Sequence, residues 1–454
     1  MQVGSVIRRR VTNRGGTREE RGRLKTQDYT RLRDSINGMY KASRAREAQL
    51  IDLFLADTLD VDDFLRLKNR NANAPKVAYQ VCIDHERTWD KEPVGIKFRD
   101  RIEVNGPRVD EPWVQWTAAK FEGKVGVSPT QFLQICEQHK LIPLKIEGKN
   151  RSACTREFGI FLVLRRFRLM EGSFRDLSIE LNAHRTRLQY LYAATIILYE
   201  VHYTDLATKV DVFRLAQPGA LERLAKASMD VGAPYSHIIA YIDGKPVFTT
   251  RPGNRACKHQ ALQYNGNDID VQKLFYTGYY HGHGIRLQFA TFTDGIAIMT
   301  VDSLREHDQH VLNKSKLAVA LRCLLVRDSS GKRVHPAAYG DPAYRETEVI
   351  LRKHKGLRTT TQAHVDKKMQ TARACAEDMF CTLAKTFKYF DNKNNFKILT
   401  RGQYTIAQEL LAATILLNCF AILHGNQTTG LFKLDPPSLS NYFRNANAKC
   451  YVDY

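Results

Sequence analysis

The chain has 454 residues, 43% hydrophobic and 26% charged, an ordinary balance for a water-soluble protein and length enough for two or three domains. Lysine and arginine number 69 against 48 acids, and the resulting net charge of +21 is more than folding requires. It points to a polyanionic partner, nucleic acid ahead of an anionic membrane, with a merely basic soluble protein as the alternative.

Nine scattered cysteines without a C-x-x-C pair argue against a disulfide framework and against a zinc ribbon. The first ten residues lack the apolar stretch of a secretory signal. The longest apolar run, Leu410 to Leu423, is too short to span a bilayer and contains Asn418, so it reads as a buried helix. A soluble, intracellular protein with no membrane contact is expected.

In chain order, residues 1–33 are rich in Arg, Gly and Thr and read as a disordered basic arm, either a nuclear-import or phosphate-binding segment or a solvated tail. Residues 34–150 form an N-terminal region without an assigned role. Its opening part, 34–68, carries apolar residues at helical spacing (Ile36, Met39, Tyr40, then Leu50, Ile51, Leu53, Phe54), and 77–83 is a candidate strand. Trp89, Trp113 and Trp116 read as packing anchors. Ser128 followed by Pro129 is an N-cap with proline at the first helical position.

The next part, 151–232, is helical throughout. One helix is expected from about Thr155 to Arg168. A short helix, a turn near Asn182 and a second helix opening with Arg185 and Arg187 then follow. That layout suits a helix-turn-helix entering a major groove, or equally a helical hairpin packed on the neighbouring domain.

After a helix at 218–231 the period changes. Apolar runs at 237–242, 285–292 and 296–301 read as strands, with Asp294-Gly295 as a hairpin turn. A short strand at 337–339 precedes Gly340-Asp341, and long helices are expected at 364–388 and 404–424. The fold class is therefore α/β (α+β), a mixed sheet flanked by helices over 233–425 and followed by a C-terminal tail at 426–454.

Three acids stand where chemistry could use them. Asp243 ends a strand on a turn with Gly244, Asp341 follows the short strand, and Glu377 sits in a helical segment; a fourth, Asp308, follows His307. Carboxylates converging from strand ends and a helix can hold two divalent cations for in-line displacement at a phosphodiester. Each acid alone has a plain structural reading as a turn, loop or surface residue, and only the combination argues for a site.

That combination resembles the PIF/Harbinger-type transposases and the nucleases derived from them, of the DDE superfamily. The motifs are Ile242-Asp243-Gly244, Arg251-Pro252-Gly253, Tyr276-Thr277-Gly278 and 283–289 (HGIRLQF). After them come Thr293-Asp294-Gly295, Glu306-His307-Asp308, Gly340-Asp341-Pro342-Ala343-Tyr344 and Glu377, 36 positions beyond Asp341 (377 − 341). The resemblance covers roughly 155–425. It implies an RNase H-like fold, a catalytic triad of Asp243, Asp341 and Glu377, and Asp308 as a further metal-associated acid. It also implies Mg²⁺ or Mn²⁺ as cofactor, DNA (transposon ends and target) as partner, a Myb-like accessory DNA-binding protein, an oligomer and a nuclear location. A domesticated descendant that binds DNA without cutting it is the alternative.

The chain departs from the family pattern at Lys245, which stands where Thr is usual and either contacts phosphate or points to solvent. The spacer between Arg251 and Tyr276 is longer than usual, and the customary Gly-Pro is missing around 302–306. His281, His283, His307 and His310 admit a zinc reading, although their spacing demonstrates no tetrahedral convergence; His283 and His307 fit better as residues that orient the carboxylates. Arg251, Lys258, Arg286, Lys367, Lys368 and Arg373 flank the acids, either to meet DNA phosphates or as a solvated basic face.

Overall fold

A computed structural model describes residues 113 and 116–451, except for 150–151, 172, 253–261, 265–266, 270, 355, 392–395, 397–398, 401–403 and 449–450. The expectations for the basic arm, the helices at 34–68, the strand at 77–83, Trp89 and Lys258 lie outside these residues.

The described part is built on a six-stranded mixed sheet. Its strands are β1 (Ile238–Phe248), β2 (Tyr276–Thr277), β3 (Gly282–Phe292), β4 (Ala297–Ser303), β5 (Ala337–Gly340) and β6 (Ile350–Arg352). β1, β3 and β4 form an antiparallel meander, while β5 lies parallel to β1 and β6 parallel to β5. Asp294-Gly295 makes the β3–β4 turn, with Gly295 at φ 81°, where a side chain would be strained. Helices cover the sheet, giving the RNase H-like architecture expected.

The helical boundaries follow their caps. α1 (Ala118–Val125) and α2 (Pro129–Gln138) begin at Thr117 and Ser128, the latter in a reciprocal capping box with Gln131. α3 (Arg156–Arg168) is capped by Thr155. α4 (Phe174–Glu180) leads through Asn182, at φ 45°, into α5 (Arg185–Thr208). Later come α6 (Ala220–Asp230), α7 (Asp308–Lys314), α8 (Thr360–Thr386), α9 (Ile406–His424) and α10 (Leu439–Asn447).

In the segment 172–191, the second helix is laid on the core. Leu188, Leu191, Tyr192, Ile196 and Tyr199 of α5 are fully buried, and the helix packs on α9, α3 and β4. Arg185 is exposed, while Arg187 donates from Nη2 to the Ala153 carbonyl (3.0 Å).

The apolar run at 410–423 is the middle of α9, the one helix among the described residues long and apolar enough to cross a membrane; 78% of that window is buried in the protein. Its polar residues meet protein groups. Asn418 accepts from the Ala297 amide (3.0 Å) and donates to the Ala297 carbonyl (2.8 Å) and the Tyr442 hydroxyl (2.9 Å), fixing α9 to β4 and α10.

The stretch read as a C-terminal tail folds back as α10. Leu439, Tyr442, Phe443 and Ala446, spaced three and four apart, are buried against α2 and α5. Trp113 packs on Phe121, Phe132 and Phe161, and Trp116 on Phe121 and Phe161, as anchors should.

Candidate active site

β1 does not end at Asp243. The Asp-Gly pair, which reads as a turn, continues in strand because β1 pairs with β3 over nine positions, from Ala240 opposite Phe292 to Phe248 opposite Gly284. That ladder outweighs the local turn preference. On its other edge β1 pairs with β5 only at Ile238, Ala240 and Tyr241. Beyond Tyr241 this edge is open, so Pro246 is tolerated there despite its missing N–H. Asp243 stands just past the point where its parallel neighbour stops, in a notch of the sheet.

Asp341 enters the same notch from β5. Tyr339 lies level with Tyr241, and two further steps along both chains bring Asp341, just beyond its strand, level with Asp243. There Asp341 Oδ1 accepts from the Ala343 amide (2.9 Å), which tightens the loop. Tyr344 lies across Gly340, where a Cβ would collide with its ring. The Gly-Asp-Pro-Ala-Tyr sequence is thus one unit, in which the glycine admits the ring that closes the loop. Gly340→Ala is expected to destabilise the protein by about 1–3 kcal/mol through overpacking, read as a lower urea midpoint at unchanged slope.

Glu377 comes from α8, which packs on β1 and β3 through Met369, Ala372, Cys375, Ala376, Met379 and Phe380. Arg373, one turn earlier, makes an ion pair with Glu377, and its Nη1 lies 4.0 Å from Asp243 Oδ1. The Asp243 side chain is 19% exposed. Burial raises its pKa, Arg373 pulls it down, and Glu377 and Asp341 push it up again, to about 6. Asp243, Asp341 and Glu377 therefore share one electrostatic neighbourhood. Lys245, two residues along the same face of β1, is exposed with its ammonium 5.8 Å from the Phe380 ring centroid.

The raised Asp243 pKa has a definite sign for stability. A carboxyl whose folded pKa (about 6) exceeds its ordinary 3.8 adds stability below pH 4 and loses it as pH rises through 6. In chelator, Asp243→Asn should match the parent near pH 4. It should be more stable above pH 6, by on the order of 1–3 kcal/mol. Denaturation midpoints across that range check this; a difference independent of pH would contradict it.

Asp308 stands elsewhere. Side chains alternate along a strand, so Gly244 faces away from Asp243. A Cβ on Gly244 would come within 2.5 Å of Asp308 Oδ1. Asp308, the first residue of α7, is thus close to β1 on the opposite face. Its Oδ1 accepts from Arg286 Nη1 (2.6 Å). Buried Gln288, opposite Gly244 in register, donates from Nε2 to the Tyr344 hydroxyl (2.9 Å) and the Asp308 carbonyl (3.3 Å). Burial raises the Tyr344 pKa, and the charges of Asp308, Asp341 and Asp243 raise it further, so the phenol stays protonated amid three acids.

The roles of Arg286 and Arg373 as partners of the acids, and of Gln288 and Tyr344 as the link between loops, are not evident from sequence spacing. Arg286, Gln288 and Tyr344 do fall inside motif stretches. Of the other flanking cations, Arg251 binds Gln272 Oε1 (2.8 and 3.1 Å), and Lys367 and Lys368 are exposed.

Other contacts hold the histidines. The His283 ring packs on Tyr276, His307 caps α7 without a side-chain bond, and His310 lies 3.9 Å from Asp302 and 3.7 Å from Glu306. Among the described residues no three His, Cys, Asp or Glu side chains converge closely enough to hold a metal ion. As their side chains stand, neither the four histidines nor Asp243, Asp341 and Glu377 form a coordination shell. The chemistry of the three acids nevertheless fits a hard divalent cation. They offer only carboxylate oxygens, at a partly buried notch whose mutual repulsion a cation would relieve.

The sequence model of the DDE superfamily endonucleases matches residues 242–418, a stretch that holds Asp243, Asp308, Asp341 and Glu377 and ends at Asn418. This stretch has the sequence character of an endonuclease domain of the transposase-like DDE class. No curated protein and no solved structure matches the chain.

Proposed function

We propose that the chain is a metal-dependent DNA endonuclease or transposase of the PIF/Harbinger type. The observation that carries this reading is the grouping of Asp243, Asp341 and Glu377 around one notch: strand register brings Asp341 level with Asp243, and Arg373 ties Glu377 to the same place. Asp243, Asp341 and Glu377 would hold divalent cations, which when bound supply positive charge to the attacking and leaving oxygens of the phosphodiester.

The chain's own residues set the geometry. Asp243 is fixed by the β1–β3 ladder and Asp341 by its closed loop, while Glu377 reaches in from a helix and is freer, with 55% of its side chain exposed. Asp308 braces the strand from behind through Arg286. Lys245 and the exposed Lys367 and Lys368 supply positive charge for the DNA backbone. Water attacks phosphorus and the P–O3′ bond breaks, leaving a 3′-hydroxyl and a 5′-phosphate. In transposition the freed 3′-hydroxyl then attacks a phosphorus of target DNA, and a new P–O bond forms as the target's own P–O3′ bond breaks and its 3′-oxygen leaves as a hydroxyl. The net charge of +21 agrees with a DNA partner, and with this type go a nuclear location, an oligomer and a Myb-like accessory protein.

Incubation of the purified chain with supercoiled plasmid tests the reading. Nicking in Mg²⁺ or Mn²⁺ that stops with chelator is expected. Retention of DNA without nicking, on plasmid and on DNA carrying transposon ends with the accessory protein, would favour the alternative of a DNA-binding descendant that no longer cuts.

A further inference from the structure

We propose that Arg373 is a built-in counter-ion that occupies the acid site in the metal-free protein and must yield when a divalent cation enters; this rests on the metal-dependent reading above. Among the described residues, Arg373 is the one that pairs with two of the three acids. It forms an ion pair with Glu377 one helical turn away and lies 4.0 Å from Asp243. Its side chain is 21% exposed, so the charge sits in the notch and not in open solvent.

The placement follows from the helix. Met369, Ala372 and Ala376 of α8 are buried. Arg373 and Glu377, four apart, therefore lie together at the border of the buried face, above the open edge of β1. Without a cation, the guanidinium offsets the burial of Asp243 and the repulsion of its neighbouring acids. With one, the same guanidinium repels the incoming charge and competes for the same oxygens. Arg373 is thus a positioning residue that keeps the acids gathered and raises the threshold of metal occupancy. Once released, its guanidinium stands beside the notch where a DNA phosphate would lie.

The test uses the full chain at pH 8, where Asp243 is ionised, with Mn²⁺ as the probe. Binding is followed by calorimetry and by the loss of free Mn²⁺ signal in electron paramagnetic resonance, and thermal stability is measured in chelator. Arg373→Gln should bind Mn²⁺ about tenfold more tightly than the parent and melt lower in chelator, with a larger rise on adding Mn²⁺. Arg373→Lys, which keeps the charge, should restore affinity toward the parent value.

Equal or weaker Mn²⁺ binding by Arg373→Gln, with the parent binding normally, would overturn the counter-ion role and leave the metal-dependent reading intact. Tighter binding by Arg373→Lys equal to that of Arg373→Gln would overturn it as well, because charge would not be the cause. Absence of Mn²⁺ binding by all three proteins would remove both this inference and the reading on which it rests.

Discussion

Asp243→Asn should lower plasmid nicking by on the order of 10³-fold or more, at every Mg²⁺ or Mn²⁺ concentration. The amide keeps the shape and the hydrogen-bonding capacity of the carboxylate but loses the negative charge on which cation binding depends. Asp341→Asn and Glu377→Gln should fall in the same range, since both acids act on Asp243 electrostatically. Asp308→Asn should lose much less, about tenfold, because Asp308 lies behind the strand in a pair with Arg286. The four variants measured side by side, with melting in chelator as a control for folding, separate the two faces of β1. Equal losses at all four positions would place Asp308 in the reacting set and contradict the geometry. Nicking that survives Asp243→Asn would locate the reaction elsewhere.

The largest stability effect is expected far from the notch, at Glu409. This residue of α9 is 1% exposed. It accepts from the Tyr192 hydroxyl (2.6 Å) and the Tyr389 hydroxyl (3.1 Å), and its Oε1 lies 3.7 Å from Arg166 Nε. Burial pushes the Glu409 carboxyl up, while Arg166 and the two hydroxyls pull it back. The Arg166 guanidinium lies over the rings of Phe174, Tyr192 and Tyr389, at 4.3, 4.8 and 4.8 Å from their centroids.

Glu409→Ala would leave this cation buried without its carboxylate and is expected to destabilise the protein by about 3–5 kcal/mol. The double variant Arg166→Met, Glu409→Met should recover most of that loss, because it removes both charges and keeps the volume filled. Urea denaturation of the parent, the single variant and the double variant gives the answer. A double variant no better than the single one would show that the aromatic cage depends on the guanidinium itself.

Helix starts were readable locally because an N-cap is a short-range device. Ser128 with Gln131 bonds groups three residues apart, and Thr155 caps α3 in the same way. The turn at Gly295 was equally local. Amphipathic spacing also marks α10, although the short, polar stretch around it conceals the helix among tail-like residues.

The Asp243-Gly244 turn failed for the opposite reason. Its local preference was sound, but nine paired positions along β3 hold the strand straight, and those partners lie some forty residues away. That α5 lies on the core was likewise visible only in its surroundings.

What the sequence determined by itself was the alternation of strands and helices, the basic character of the chain and the identity of the acids, whose motif context is local. The tertiary structure decided which acids are neighbours. Strand register brings Asp341 level with Asp243, and the packing of α8 brings Glu377 and Arg373 over them. The alternation of side chains along β1 sends Asp308 to the other face. A carboxylate's environment is set by whatever lies within a few ångströms, and here those neighbours come from elements about a hundred residues apart in the chain, so no local spacing rule could have sorted the four.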